Sequence, residues 1–85
     1  MLDVDLTKKQ LRVVKAVKNQ IKKHNYTTIN RIAEEAETTR LTVDRVLALL
    51  KSMDIIQLEP VGRVRLIKRG KKWYRIKSLL NRPQP

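Results

Sequence analysis

The stretch that decides the fold is IAEEAETTRLTVDRVLALL, residues 32–50. A short apolar and acidic run, Ile32 to Glu37, meets Thr38 and Thr39, and a longer, strongly periodic run follows. Val43, Val46, Leu47 and Leu50 recur at i, i+3, i+4 and i+7, which gathers them on one side of a helix. Thr39 stands where an N-cap belongs, because its hydroxyl can accept from an unpaired amide of the first turn. The side opposite the apolar stripe holds Leu41, Arg45, Ala48 and Ser52, flanked by Arg40, Thr42 and Asp44. Two helical runs this close, broken by a threonine pair, require the chain to turn sharply between two packed helices.

Working outward, INRIAEEAE reads as a short helix capped by Thr28, with Ile29, Ile32, Ala33 and Ala36 inward and Glu34, Glu35 and Glu37 toward solvent. YTTI before it is a β-prone link. Further upstream, DLTKKQLRVVKAVKNQIKKHN (5–25) reads as a first helix. Thr7 and Gln10 form its capping box, and Leu6, Val13, Val14, Val17 and Ile21 lie on one side. Lys8, Arg12, Lys15, Lys22 and Lys23 gather on the other, either as a solvated face or as phosphate contacts. Downstream the period changes to two: Ile56 and Leu58 alternate with Gln57 and Glu59, then Val64 and Leu66 with Arg63, Arg65 and Ile67, around the turn EPVGR. This is a β-hairpin with Val64 and Leu66 expected inward and arginine at its tip and outer face. KRGKKWYRIKSLL (68–80) is expected to be a last helix, with Trp73, Ile76, Leu79 and Leu80 on one side, and residues 81–85 a frayed tail stopped by proline.

Composition narrows the chemistry. The 85 residues suit one domain, 1–80, with a modest core. Twenty Lys and Arg against eight Asp and Glu give a formal net charge of +12, which calls for a polyanionic partner. There is no cysteine and one histidine, His24, so disulfides, thiolate metal sites and histidine clusters are excluded. No Ser–His–Asp set or phosphate-cradling glycine loop is visible, so neither an enzyme nor a cofactor is expected. No apolar run approaches the ~18 residues of a membrane span, and the N-terminus lacks a signal-peptide pattern. A cytoplasmic, nucleoid-associated protein is the expectation.

Helix, short helix, longer helix, hairpin, helix is the order of a winged helix-turn-helix, an α+β, mostly helical fold with a three-helix core, a β-hairpin wing and a C-terminal helix. In that architecture the third helix enters the DNA major groove, and its N-terminal residues reach base edges. Arginine can bond guanine twice, a threonine hydroxyl can reach base or phosphate, and Leu41 can touch a thymine methyl. Asp44 is the awkward residue: it braces Arg40 or Arg45, accepts from cytosine, or repels phosphate.

RIAEEAETTRLTVDRVLALLKSMDIIQLEP and GRVRLIKRGKKW resemble the winged helix-turn-helix core of MarR-like prokaryotic and archaeal transcriptional regulators, over residues 28–80. LIKRG stands where that family has a Leu-Thr-x-x-Gly step, with Ile67 in place of the threonine, and SMDII lacks the usual glycine. The resemblance implies base contact for Arg40, Leu41, Thr42 and Arg45. It implies phosphate contact for Thr28, Thr39 and Lys51, and wing contact in the minor groove for Arg63 and Arg65. It implies a homodimer through terminal helices, for which Leu2, Val4, Leu6, Trp73, Ile76, Leu79 and Leu80 are the candidates. The chain looks too short for the family's ligand pocket, so no small-molecule effector is expected. The expected function is sequence-specific binding of double-stranded DNA by a dimeric transcriptional regulator. The alternatives are an architectural, nucleoid-type DNA binder and an RNA- or protein-interaction winged helix.

Overall fold

The computed structural model describes residues 6–81. Helix α1 spans Lys8–His24. The Thr7 hydroxyl accepts from the Gln10 amide (3.1 Å), and the Gln10 side chain accepts from the Thr7 amide (2.9 Å), so the capping box forms as the sequence requires. Val13, Val14, Ala16, Val17 and Ile21 are its buried side. It ends at Asn25, whose positive φ of 67° turns the chain while its amide bonds the Ile21 carbonyl.

Strand β1 (Tyr26–Thr27) leads into α2 (Ile29–Ala36), capped by Thr28, and then α3 (Arg40–Ser52), capped by Thr39. The turn between α2 and α3 is built by Glu37 in the left-handed region, φ 53°, with its amide on the Ala33 and Glu34 carbonyls. Asp54, φ 60°, plays the same role after α3, where the related pattern has glycine. Val43, Val46, Leu47 and Leu50 are all buried, as their spacing demands. With Ile32 and the α1 stripe they form one apolar core, completed by Ile55, Ile56, Ile67, Ile76 and Leu79.

Strands β2 (Ile56–Val61) and β3 (Val64–Arg69) form the hairpin, and β1 adds to β3, so the sheet has three antiparallel strands in the order β1-β3-β2. The link read as merely β-prone is thus an edge strand. Gly62 takes φ +61° and Arg63 does not, the pattern of a two-residue type II′ turn. The expected phase of β3 is corrected. Leu58 pairs with Ile67 and Ile56 with Arg69, so Ile67 is the inward residue, fully buried. Val64 is exposed and Leu66 half-buried, on the outer face with Lys68, which pairs with Tyr26. A strand that reads Val-Arg-Leu-Ile offers an apolar residue to either face, and a one-residue choice flips every side chain.

The last helix is also corrected. β3 continues through Arg69, a 3-10 turn follows at Trp73–Arg75, and α4 covers only Ile76–Leu80. Gly70 explains the break. A Cβ there would lie 2.5 Å from the Asp54 carbonyl oxygen, so the chain passes against the start of β2 too closely for any side chain. The Gly70 amide bonds the Ile55 carbonyl (2.8 Å), and the Lys72 amide bonds that of Asp54 (2.7 Å). Arg69 ties this corner to α1: its guanidinium donates to Asn25 Oδ1 (2.8 Å) and the Ile21 carbonyl (3.4 Å), and lies 5.8 Å from the Trp73 ring centre. The expected tail lies outside the described residues apart from Asn81, which caps α4.

Candidate nucleic-acid interface

Three elements converge beside α3. Thr28, Ile29 and Asn30 from the start of α2, Arg40 and Asp44 from α3, and Arg63, Val64 and Arg65 from the hairpin line one open cleft of about 300 Å³. A second cleft, about 340 Å³, continues along α3 between Asp44, Leu47, Ala48 and Lys51 on one side and Leu58, Arg65 and Ile67 on the other. Arg40, Asp44 and Lys51 therefore form the flank of α3 that faces the hairpin. Thr28, Arg40, Lys51, Arg63 and Arg65, proposed from sequence, are brought together here.

Arg45 and Leu41 do not line either cleft. They project from the row opposite the buried stripe, where Leu41 keeps 59% of its surface exposed. An apolar side chain held that far into solvent contributes little to the core. Ala48 and Ser52 complete the row, and the Ser52 hydroxyl is turned back to the Leu49 carbonyl at 2.7 Å. The row is thus flat beyond Arg45 and allows close approach to the helix axis.

The threonines are committed to the backbone. Thr28 Oγ1 accepts from the Arg31 amide (3.4 Å), and Thr39 Oγ1 from the Thr42 amide (3.3 Å). Each hydroxyl uses an acceptor site in capping and still has a hydrogen to donate. Thr39 and Thr42 also share a hydroxyl–hydroxyl bond of 3.2 Å, which holds the Thr42 side chain at the N-terminal turn of α3.

Charge in the clefts is one-sided. Arg40, Lys51, Arg63 and Arg65 surround a single acid, Asp44. Among the described residues the one ion pair is Lys68–Glu59, on the other face of the hairpin, so Asp44 holds no cation in a close pair. Asn30 was not read as a site residue, although an exposed amide beside a helix cap was a visible signal. The described residues hold no group of three or more His, Cys, Asp or Glu that could hold a metal ion, and no helix among them is long and apolar enough to cross a membrane.

The residues expected at a dimer interface separate into two sets. Ile76 and Leu79 are given to the protomer's own core, 1% and 4% exposed, which corrects their assignment to a partner-facing surface. Leu6, Trp73 and Leu80 pack on that core but stay half-buried. Leu2 and Val4 lie outside the described residues.

No family profile and no curated protein matches the sequence. Solved structures do match the fold. AF1382 from Archaeoglobus fulgidus superposes with a TM-score of 0.72 at 19% identity, covering 89% of this chain and 88% of that one. A Lactococcus lactis ZitR variant in complex with DNA gives 0.64 at 23% identity, over 89% of this chain and 51% of that one. Bordetella bronchiseptica BpsR, whose DNA binding is regulated by 6-hydroxynicotinic acid, gives 0.65 at 17% identity, over 88% and 50%. ZitR is a zinc-responsive MarR family member. The chain spans about half the length of ZitR and BpsR. At these identities the likeness is one of fold, and that fold is the winged helix.

Proposed function

We propose that the protein binds double-stranded DNA sequence-specifically, as a dimeric, non-enzymatic regulator of transcription. The observation that carries this reading is the convergence of Arg40, Arg63 and Arg65 with the start of α2 around one open cleft, next to an outward row on α3 bearing Leu41 and Arg45. In this reading α3 lies in the major groove. Arg45 and Leu41 read base edges from the helix axis, and Arg40 and Thr42 read from its N-terminal turn. Thr28, Thr39 and Lys51 hold the phosphates on either side, and Arg63 and Arg65 place the wing in the minor groove. Half-buried Leu6, Trp73 and Leu80 supply apolar surface for a second copy. A protein of this fold held on DNA, the ZitR complex, supports the choice of ligand. The ligand and zinc responses of BpsR and ZitR belong to chains of which this one spans about half.

The test is a pair of substitutions. Arg45→Ala should lose about 1–3 kcal/mol of discrimination at one base position. Lys51→Ala should weaken binding on specific and random duplexes alike. If both act equally on the two kinds of DNA, Arg45 does not read bases.

A further inference from the structure

Helix α1 carries seven Lys and Arg and no acid between Lys8 and His24. Lys8, Arg12, Lys15, Lys22 and Lys23 fall within an arc of about 100° around Asn19, given 3.6 residues per turn. All five are exposed. No α1 residue lines either cleft beside α3. Arg12 and Lys15 instead border a separate cleft with Asn19 and the acidic side of α2, Glu35 and Glu37. Glu35 does not pair with them: its carboxylate accepts from Gln20 Nε2 (2.9 Å) and Asn19 Nδ2 (3.5 Å). Among the described residues no α1 cation has an ion-pair partner.

This placement works against the helix. Cations are favoured in a last turn, which accounts for Lys22 and Lys23. Lys8 and Lys9 sit in the first turn, where the helix dipole has the wrong sign for them and the turn itself holds no acid. Lys8–Arg12, Arg12–Lys15, Lys15–Lys18 and Lys18–Lys22 are neighbouring like charges at i, i+3 or i+4, and each pair repels. Helix stability does not explain the row, whereas a polyanion laid along it would relieve both penalties.

We propose that the α1 row is a second face for duplex DNA, so that a protomer holding one duplex beside α3 binds another along α1. The first duplex rests on the function proposed above; the second rests on the row alone. Lys8 to Lys22 spans about 21 Å of straight helix at 1.5 Å per residue. A duplex presents about 12 phosphates over that length. The apolar side of α1 is buried in the core, so the helix has nothing to place in a bilayer.

The experiment is capture of a second, labelled duplex by protein held on a bead-bound duplex, with wild type compared with K8Q/R12Q/K15Q/K22Q. The wild type should retain the second duplex. The variant should lose that capture about tenfold or more, bind the first duplex within about threefold, and melt no lower than wild type, since repulsion is removed. Capture kept by the variant would assign bridging to the two reading faces of a dimer and overturn the proposal. A lower melting temperature with loss of both duplexes would make the row structural. First-duplex binding without any capture, including a case where wild type sediments with phosphatidylserine vesicles instead, overturns the second face and leaves the reading face intact. Failure to bind any duplex sinks both.

Discussion

Raising salt from 50 to 200 mM gives a quantitative test of the geometry around α3. Each cation that neutralises a phosphate releases counterions, and the slope of log affinity against log salt is about −0.9 per contact. Three cations flanking α3 and the hairpin are assigned to backbone or minor-groove contact: Lys51, Arg63 and Arg65. Arg40 and Arg45 are assigned to bases and leave the slope largely unchanged. The expected slope is therefore about −2.7 for one protomer and −5.4 for a symmetric dimer, or affinity losses of about 40-fold and on the order of 2,000-fold over that fourfold rise. Fluorescence anisotropy on one labelled duplex, at five or more salt concentrations, measures it. Lys51→Gln and Arg63→Gln should each flatten the slope by about 0.9 per protomer, while Arg45→Ala lowers affinity without flattening it. A slope that ignores Lys51 and Arg63 but flattens when the α1 lysines are removed would place the primary duplex on α1 and refute the assignment of the reading face.

Four stability predictions follow from the local geometry. Thr39→Ala removes the acceptor for the Thr42 amide and should cost about 1 kcal/mol in urea unfolding, with Thr39→Ser restoring most of it. Gly70→Ala drives a methyl group to 2.5 Å from the Asp54 carbonyl oxygen and should cost about 1–3 kcal/mol or more, read as a fall in the urea midpoint. Arg69→Met breaks the bonds to Asn25 and Ile21 that join α1 to the end of β3, and a loss of about 1–2 kcal/mol should appear with faster amide exchange at the C-terminal end of α1. Glu37→Gly relieves a left-handed backbone at a residue with a Cβ and should raise the melting temperature, by the equivalent of about 0.5–1 kcal/mol.

Much of this fold could be read from single residues. Thr7, Thr28 and Thr39 are caps in the structure because each precedes an apolar-periodic run, and a short side chain that bonds backbone amides has no better place. The four-residue stripe of α3 was equally legible, since its spacing admits one helix face only. The failures share a cause, which is tertiary contact. The phase of β3 depends on Ile67 meeting Leu58 and Thr27 across two neighbouring strands, and local alternation does not contain that pairing. The late start of α4 depends on Gly70 lying against Asp54, 16 positions away in sequence. Ile76 and Leu79 have the spacing of a free helix face, yet the core takes them. At the site, residue types indicated which side chains suit DNA. The division between Arg45 on the outer row and Arg40 on the hairpin flank came from the packing of the sheet against α3.

The most direct test of the central claim is selection of purified protein against a random duplex pool at near-physiological salt, with the enriched sequences read out. A sequence-reading dimer predicts an enriched inverted repeat whose half-sites lie about one helical turn, or ~34 Å, apart. Retained binding with no enriched sequence would contradict base readout by Arg40, Leu41 and Arg45 and leave them as contacts to the DNA backbone.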